Sequence, residues 1–128
     1  MLKVFISQKM NGLTTKEIQE RRDYILDLFC EEKMIDSIKV EIVNPIIRTN
    51  MSKEATRLEY LGEAIKDMAK AEVIIFDDGA SWSAKGCMVE ADVVRLYKDV
   101  YHWTVWELSK GKFKRKYLTY KETSKEVK

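Results

Sequence analysis

Residues 73–90 read VIIFDDGASWSAKGCMVE. The first four residues are apolar, which predicts a short buried strand. Two carboxylates follow it, then a loop rich in glycine and serine, and then a third carboxylate, Glu90, in the first turn of a predicted helix. In an open parallel sheet, ligands bind outside the carboxyl ends of the strands. The stretch therefore predicts a binding crevice lined by acids.

The rest of the chain alternates strands and helices in the order βαβαβαβ. This order predicts an α/β fold with a mostly parallel sheet of four to five strands and helices on both faces. The expected strands are residues 2–6, 40–43, 73–76, 100–106 and an edge strand near 116–120. The expected helices run from Thr14 or Thr15 to about Lys33, over 55–70 and over 86–98, with 77–86 as a loop. The apolar faces of the last two helices are predicted to be Leu58, Leu61, Ile65 and Met68, and Met88, Val89, Val93 and Leu96.

The composition excludes several classes of protein. The chain has 128 residues, of which 45% are hydrophobic and 34% are charged, which is typical of one globular domain spanning 1–128. The net charge is +2, and the positive excess lies mostly in a basic extension, 110–128, so we expect no nucleic-acid partner. No apolar run approaches the roughly 20 residues of a membrane span, and the N-terminus reads as a strand rather than a signal peptide. We expect a cytoplasmic protein with no membrane partner.

The cysteine and histidine content argues against a metal site and against a Ser-His-Asp triad. Cys30 and Cys87 lie far apart without metal-ligand spacing, which predicts reduced thiols. His102 is the only histidine, which excludes a histidine-rich metal site and disfavours a Ser-His-Asp triad.

Polar residues that follow the first and third strands are predicted to share one edge of the sheet. They are Ser7, Gln8, Asn11 and Gly12 after the first strand, with Asp77, Asp78 and Glu90 after the third. A carboxylate at such an edge can attack an anomeric carbon. The pattern therefore suggests cleavage or exchange of an N-glycosidic bond.

Residues 6–12 (ISQKMNG) resemble the N-terminal signature of the nucleoside 2-deoxyribosyltransferase-like proteins. They are most similar to a small, often phage-encoded branch that carries a domain of unknown function. Other parts of the chain also resemble that branch's pattern: 60–65 (YLGEAI), 71–76 (AEVIIF), Gly79, Trp82, Gly86, Cys87 and Glu90. The resemblance covers roughly residues 2–105.

The resemblance implies a flavodoxin-like three-layer sandwich that works as a homo-oligomer, without metal or organic cofactor. It implies that Glu90 displaces the base of a nucleoside or nucleotide and holds the sugar as an ester, which a second base or water then releases. Asp78 is expected to serve as an acid or as an acceptor for a sugar hydroxyl. The expected substrate-binding residues are Ser7, Gln8, Met10, Asn11, Gly12, Tyr60, Gly79, Trp82 and Gly86.

The chain departs from the family at one position that bears on the chemistry. Ala64 stands where the transferases carry an aspartate that assists the leaving base, and Glu63 is adjacent. This departure favours an alternative, a catalytically silent protein that binds or sequesters a nucleotide. A response-regulator-like domain is a further alternative, because Asp77 follows a strand.

Structural roles compete with each functional one. Glu90 in a first helical turn would complement the helix dipole, and Asp77 is better explained as a solvated acid or helix cap. The aromatic stretch 101–106, with Phe113, Tyr117 and Tyr120, predicts either an oligomer interface or internal packing.

Overall fold

The computed structural model describes residues 1–116, which form one five-stranded sheet flanked by helices. The strands are β1 (Leu2–Ser7), β2 (Val40–Ile42), β3 (Val73–Phe76), β4 (Thr104–Ser109) and β5 (Lys112–Arg115). The helices are α1 (Thr15–Lys33), α2 (Arg57–Met68), α3 (Ala80–Ser83) and α4 (Lys85–Tyr101). The strand order is β2-β1-β3-β4-β5, and only β5 is antiparallel to its neighbour. This is the flavodoxin-like order, so the predicted fold class is confirmed.

Alternate residues of the inner strands divide the core into two layers. Val4 and Ile6 face α1, whereas Phe5 between them faces the opposite side of the sheet. The α1 layer includes Ile25, Phe29, Val73, Ile75 and Leu108, and the opposite layer includes Met68, Ile74, Phe76, Ala91 and Val94. Helices on both faces leave the strand ends as the open edge of the sandwich.

Thr14 starts α1 in the way the sequence predicts. Its hydroxyl oxygen accepts a hydrogen bond from the Glu17 amide, and the Glu17 carboxylate accepts one from the Thr14 amide. This reciprocal pair is a capping box, which satisfies two amides that the helix itself cannot pair. The helix ends at Lys33, as expected, and Met34 follows in the left-handed conformation.

The predicted bounds of the last strands are wrong. The α4 helix continues to Tyr101 and ends at His102, whose φ of 55° breaks it, so β4 begins at Thr104 rather than at residue 100. Lys110 and Gly111 both have positive φ, which fits a two-residue type I′ hairpin turn. That turn fixes the edge strand at Lys112–Arg115, and residues 117–120 lie outside the described part of the chain.

The predicted apolar face of α4 is also wrong. Met88, Val89 and Leu96 are exposed, with Leu96 at 76% of its full accessible area. The buried face is instead formed by Cys87, Glu90, Ala91, Val94 and Lys98. The apolar residues of that face, Cys87, Ala91 and Val94, are small and allow the helix to lie close to the sheet, and the larger apolar side chains lie on the outer face.

Two smaller expectations fail nearby. Leu58 is 77% exposed, because α2 begins only at Arg57 and its first turn lies away from the core. The predicted loop 77–86 contains a short helix, Ala80–Ser83.

The tryptophans of the aromatic stretch and Phe113 pack internally, whereas Tyr101 is 46% exposed. The Trp103 indole is buried and donates to the Met68 carbonyl at 3.0 Å. Phe113 packs edge-on against Phe29 with ring centroids 5.4 Å apart, and the Lys33 ammonium covers the Trp106 ring at 3.5 Å. Tyr117 and Tyr120 lie outside the described residues.

Among residues 1–116, every helix is too short or too polar to cross a lipid bilayer.

Candidate functional site

The candidate site lies where β1 and β3 end. Ser7, the last residue of β1, pairs with Phe76, the last residue of β3. One residue further, the Asp77 amide donates to the Ser7 carbonyl at 2.9 Å. The sheet order reverses between these two strands, which makes their carboxyl ends the topological switch point. The prediction that the first and third loops share one sheet edge is confirmed.

Ser7 and Glu90 are in direct contact, although 83 residues separate them in the chain. The Ser7 hydroxyl donates a hydrogen bond to Oε1 of Glu90 at 2.7 Å. Glu90 is the sixth residue of α4 and is only 8% exposed. It therefore lies in the second turn, where the helix dipole acts more weakly than in the first. Burial against the sheet edge explains its position better than dipole complementation does.

Burial raises the pKa of the Glu90 carboxyl to about 7, because the charged form loses its hydration. The hydrogen bond from Ser7 and the positive charges of Arg48 and Arg22 lower the pKa and oppose this effect. Within residues 1–116, Glu90 has no ion-pair partner at salt-bridge distance. Near neutral pH the site therefore holds a mixture of carboxylate and carboxylic acid. Buried carboxyls with raised pKa values are concentrated at functional sites.

Arg22 links the loop after β1 to the segment after β2. It was not identified as a site residue from the sequence. Its Nε donates to Oε1 of Gln8 at 2.7 Å, and its Nη1 donates to the Asn44 carbonyl at 2.5 Å. Gln8 also donates to the Ile18 carbonyl at 3.1 Å. Arg22, Gln8 and Asn44 are all buried. Gln8 therefore connects the end of β1 to α1 and is not exposed at the edge of the sheet. Arg22 falls four residues after Ile18 and three before Ile25, a spacing that places it on the buried face of α1.

Asn44 is a second residue that sequence reasoning missed. Its side-chain amide accepts from the Ile6 amide at 3.0 Å and donates to the Ile6 carbonyl at 2.7 Å. The side chain thus extends the pairing of β1 beyond the end of β2. The adjacent Pro45 indicated that a strand ends at this point, because proline is rarely found inside a strand.

Arg48 is the third missed residue. It lies on the irregular segment 43–56 between β2 and α2. Its Nη2 pairs with Oδ2 of Asp67 at 2.6 Å, and both side chains are largely buried. The pair attaches the irregular segment to α2, and the Arg48 charge lowers the pKa of Glu90.

Asp77 has a structural role, but the prediction of a solvated acid or helix cap is wrong, because Gly79 is the N-cap of α3 and Asp77 is buried. Its carboxylate accepts two bonds from Arg21, at 2.7 and 2.9 Å, and one from the Asp78 amide at 2.7 Å. The hydrogen bond to Asp77 raises the pKa of Arg21. This bidentate pair leaves Asp77 poorly suited to act as a phosphoacceptor.

Asp78 lies at the exposed rim and contacts another part of the chain. Its Oδ2 accepts from the Lys110 amide in the β4–β5 turn at 3.3 Å. The charges that act on Glu90 are those of Arg48 and Arg22. The structure therefore brings Ser7 to Glu90, but it turns the Asp78 carboxylate towards the hairpin.

The segment Met10–Leu13 forms a turn above the start of α1. The Leu13 amide donates to the Met10 carbonyl at 3.2 Å, and Gly12 has a φ of 81° that favours glycine. Asn11 and Gly12 are exposed, and Met10 is partly buried. These residues lie in the loop that follows Ser7 and Gln8, with their surfaces open to a ligand.

Trp82 is the most exposed aromatic side chain near the site, with 73% of its area accessible. A Cβ added to Gly79 would lie 3.2 Å from the Trp82 ring, so glycine allows the ring to lie against the backbone. Gly79 also has a φ of 70°. Tyr60, in the first turn of α2, is exposed as well, and Gly86 is exposed in the first turn of α4. Both aromatic side chains are thus accessible to solvent.

Cys87 lies one helical turn before Glu90 and is buried. Burial, together with the nearby Glu90 carboxylate, raises the pKa of its thiol to about 11, although the Ser7 hydroxyl opposes the shift. The thiol is therefore protonated at neutral pH. This disfavours Cys87 as the nucleophile.

Residues 1–116 contain no group of three or more histidine, cysteine, aspartate or glutamate side chains arranged to hold a metal ion.

We compared the chain with protein-family models, with curated proteins and with solved structures, and found no match in any of the three comparisons.

Proposed function

We propose that the protein cleaves or exchanges the N-glycosidic bond of a nucleoside or nucleotide, with Glu90 as the nucleophile. The observation that carries the proposal is the Ser7–Glu90 hydrogen bond at the carboxyl ends of β1 and β3. It fixes a buried carboxylate at the switch point, where open α/β sheets bind ligands. The residue at this position is also the one that the family resemblance identifies as the nucleophile.

The proposed reaction has two steps that balance without a cofactor. A Glu90 carboxylate oxygen bonds to the anomeric carbon while the bond from that carbon to the base nitrogen breaks, and the base takes a proton from water. Water or the nitrogen of a second base then attacks the same carbon. The glutamyl ester bond breaks, the carboxylate is restored, and the incoming nucleophile loses a proton.

The surroundings of Glu90 suit both steps. The transition state resembles an oxocarbenium ion, which a carboxylate close to the anomeric carbon stabilises. The hydrogen bond from Ser7 holds one carboxylate oxygen, so the other is the one available to attack. Trp82 offers a free aromatic face for stacking on the base, and Asp78 at the rim is proposed to accept a hydrogen bond from a sugar hydroxyl.

A silent nucleotide-binding protein is the second candidate. One observation favours it: Ala64 packs against the core at the position where the transferases carry the acid that assists the leaving base. The neighbouring Glu63 pairs with Lys66 at 3.0 Å on the outside of α2. In this case the site would hold a nucleotide tightly and release no product.

The experiment that separates the two candidates is incubation with a panel of nucleosides, deoxynucleosides and their monophosphates, with and without an acceptor base. Chromatography measures the free base and any exchanged nucleoside. The proposed enzyme releases base from at least one member of the panel. Binding of the same compounds without any product after long incubation would select the silent protein.

We also propose that the protein forms a homo-oligomer through the outer face of α4. Val89, Val93, Leu96 and Val100 follow one another at spacings of four, three and four residues, which is the spacing of a helix–helix seam. Three of them are exposed large apolar side chains, and Val93 packs only at the margin of the core. The equivalent face of a second copy would bury this stripe.

Replacement of Leu96 by glutamate is expected to shift the protein towards the monomer, because it puts a charge in the centre of the stripe. Light scattering after size-exclusion chromatography measures the change in mass. Ile38→Glu is the matched control, since Ile38 is equally exposed, at 76%, but lies in the turn before β2. An assembly that survives Leu96→Glu, or one that Ile38→Glu disrupts equally, would contradict this interface.

A further inference from the structure

Arg22 is buried, and no carboxylate within residues 1–116 lies at salt-bridge distance from its guanidinium. Its Nε and Nη1 donate to an amide oxygen and a backbone carbonyl, both of which are neutral. Its Nη2 is buried and makes no hydrogen bond with the described residues. A buried cation that lacks a counter-ion is costly, and so is a buried donor without an acceptor.

A second cation lies in the same neighbourhood. Arg48 is largely buried, and its charge lowers the pKa of Arg22 in addition to that of Glu90. Arg48 pairs with the Asp67 carboxylate, so its charge is balanced by one on α2. Glu90 and Asp23 act on the Arg22 charge from a distance, and neither of these carboxylates pairs with it directly within the described chain. Of the two cations, Arg48 therefore has a paired carboxylate, whereas the buried Arg22 has none at hydrogen-bond distance among residues 1–116.

We propose that Arg22 and Arg48 form an anion subsite beside Glu90, and that the substrate is a nucleotide whose phosphate occupies it. This inference rests on the proposed function, because the phosphate is taken to belong to the molecule whose sugar Glu90 attacks. Guanidinium groups bind phosphate through paired N–H donors, and a phosphate would give Nη2 its missing acceptor. It would also place a negative charge at hydrogen-bond distance from the Arg22 guanidinium, where residues 1–116 place none.

Entry of the phosphate requires a local shift. Nη2 of Arg22 is enclosed, so a ligand reaches it only if a neighbouring group moves. The irregular segment 43–56 carries both Arg48 and the Asn44 carbonyl that Arg22 binds. It contains no helix or strand, so a shift of this segment would break the contact between Arg22 and the Asn44 carbonyl without unwinding a regular element.

The inference is tested by binding to the Glu90→Gln variant, which removes turnover. Calorimetry compares a deoxynucleoside 5′-monophosphate with the corresponding nucleoside, and with inorganic phosphate alone. We expect the monophosphate to bind at least about tenfold more tightly than the nucleoside, which is the effect of one charge-assisted hydrogen bond. Inorganic phosphate is expected to compete with the monophosphate.

Variants of the two arginines assign the preference to the subsite. Arg48→Gln and Arg22→Lys, made in the Glu90→Gln background, should each reduce the preference for the monophosphate by about tenfold. Arg57→Gln is the control, because Arg57 is exposed at the start of α2. Two arginine variants are used so that loss of folding in one, detected by melting, leaves the other to decide.

The outcomes separate this inference from the proposed function. Equal affinity for nucleoside and monophosphate overturns the subsite, and so does a preference that both arginine variants retain. The wild-type protein could still release base from nucleosides in that case, and the proposed function would stand. If the monophosphate preference depends on the arginines but the wild-type protein releases no base, the subsite stands and the glycosidic reaction fails.

Discussion

Replacement of Glu90 by glutamine is expected to reduce the release of free base by about 10³-fold or more, the scale on which loss of a nucleophile acts. Glutamine keeps the shape of the side chain and an oxygen that accepts from Ser7, but an amide oxygen does not form the sugar ester. The rate is measured by chromatography with the best substrate of the nucleoside and nucleotide panel.

Glu31→Gln is the matched control for this loss of activity, because Glu31 is exposed on α1 far along the chain from the site. It should keep the wild-type rate. Circular dichroism and melting should find both variants folded. An unchanged rate in Glu90→Gln would remove Glu90 from the mechanism.

The same substitution is expected to stabilise the folded protein at alkaline pH. The pKa of Glu90 is about 7 in the folded protein and about 4.5 in the unfolded chain. The contribution of the Glu90 carboxyl to the free energy of unfolding is complete below pH 4.5 and is lost as the pH rises through 7. The reason is that this carboxyl loses its proton at a lower pH in the unfolded chain than in the folded protein. Above pH 8 the buried charge costs about 3 kcal/mol, and glutamine avoids that cost.

Denaturant unfolding of wild type and Glu90→Gln at a series of pH values measures this effect. The variant should gain up to about 3 kcal/mol in free energy of unfolding at pH 8.5 and little at pH 4.5. Glu31→Gln should stay within about 0.5 kcal/mol of wild type throughout. If the difference in free energy of unfolding between wild type and Glu90→Gln does not vary with pH, the pKa of the Glu90 carboxyl is not raised in the folded protein.

These two predictions describe a trade-off between stability and chemistry. A carboxyl that destabilises the fold at the pH where it is ionised is poorly explained as a stabilising group. It is better explained by a task that requires a desolvated carboxylate.

A parallel sheet flanked by helices follows from the sequence, because the elements alternate and parallel crossovers are right-handed, whereas the flavodoxin-like strand order is expected only from the family resemblance. Short apolar strands such as β3 identify themselves, and Thr14 with Glu17 marks the start of α1. The end of α4 is harder to foresee, because His102 in the left-handed conformation, and not a glycine or proline, ends the helix.

The buried face of α4 could not be read from its largest apolar residues. Cys87, Ala91 and Val94 pack against the sheet. The prediction gives more weight to larger apolar side chains such as Met88 and Leu96, which are exposed. Glu90 shares the helical spacing of this buried face, so the pattern contained the signal. A charged residue at a buried position is expected where function outweighs packing.

The Ser7–Glu90 contact could be predicted only as a shared sheet edge. The distance between the two atoms depends on how closely α4 approaches the sheet, which is a property of packing. The roles of Arg22, Asn44 and Arg48 could not be predicted for a related reason. Their partners are backbone carbonyls and side chains from other elements, and sequence spacing does not reveal such contacts.

The central claim is that Glu90 becomes covalently attached to the sugar, and intact-mass spectrometry of the protein during turnover tests it most directly. The account predicts a mass increase of one sugar unit, or one sugar phosphate, in the wild-type protein and none in Glu90→Gln. Tryptic digestion should place the added mass on the peptide 86–95, which contains Glu90. Steady release of base with no adduct, or an adduct on another peptide, would contradict the account.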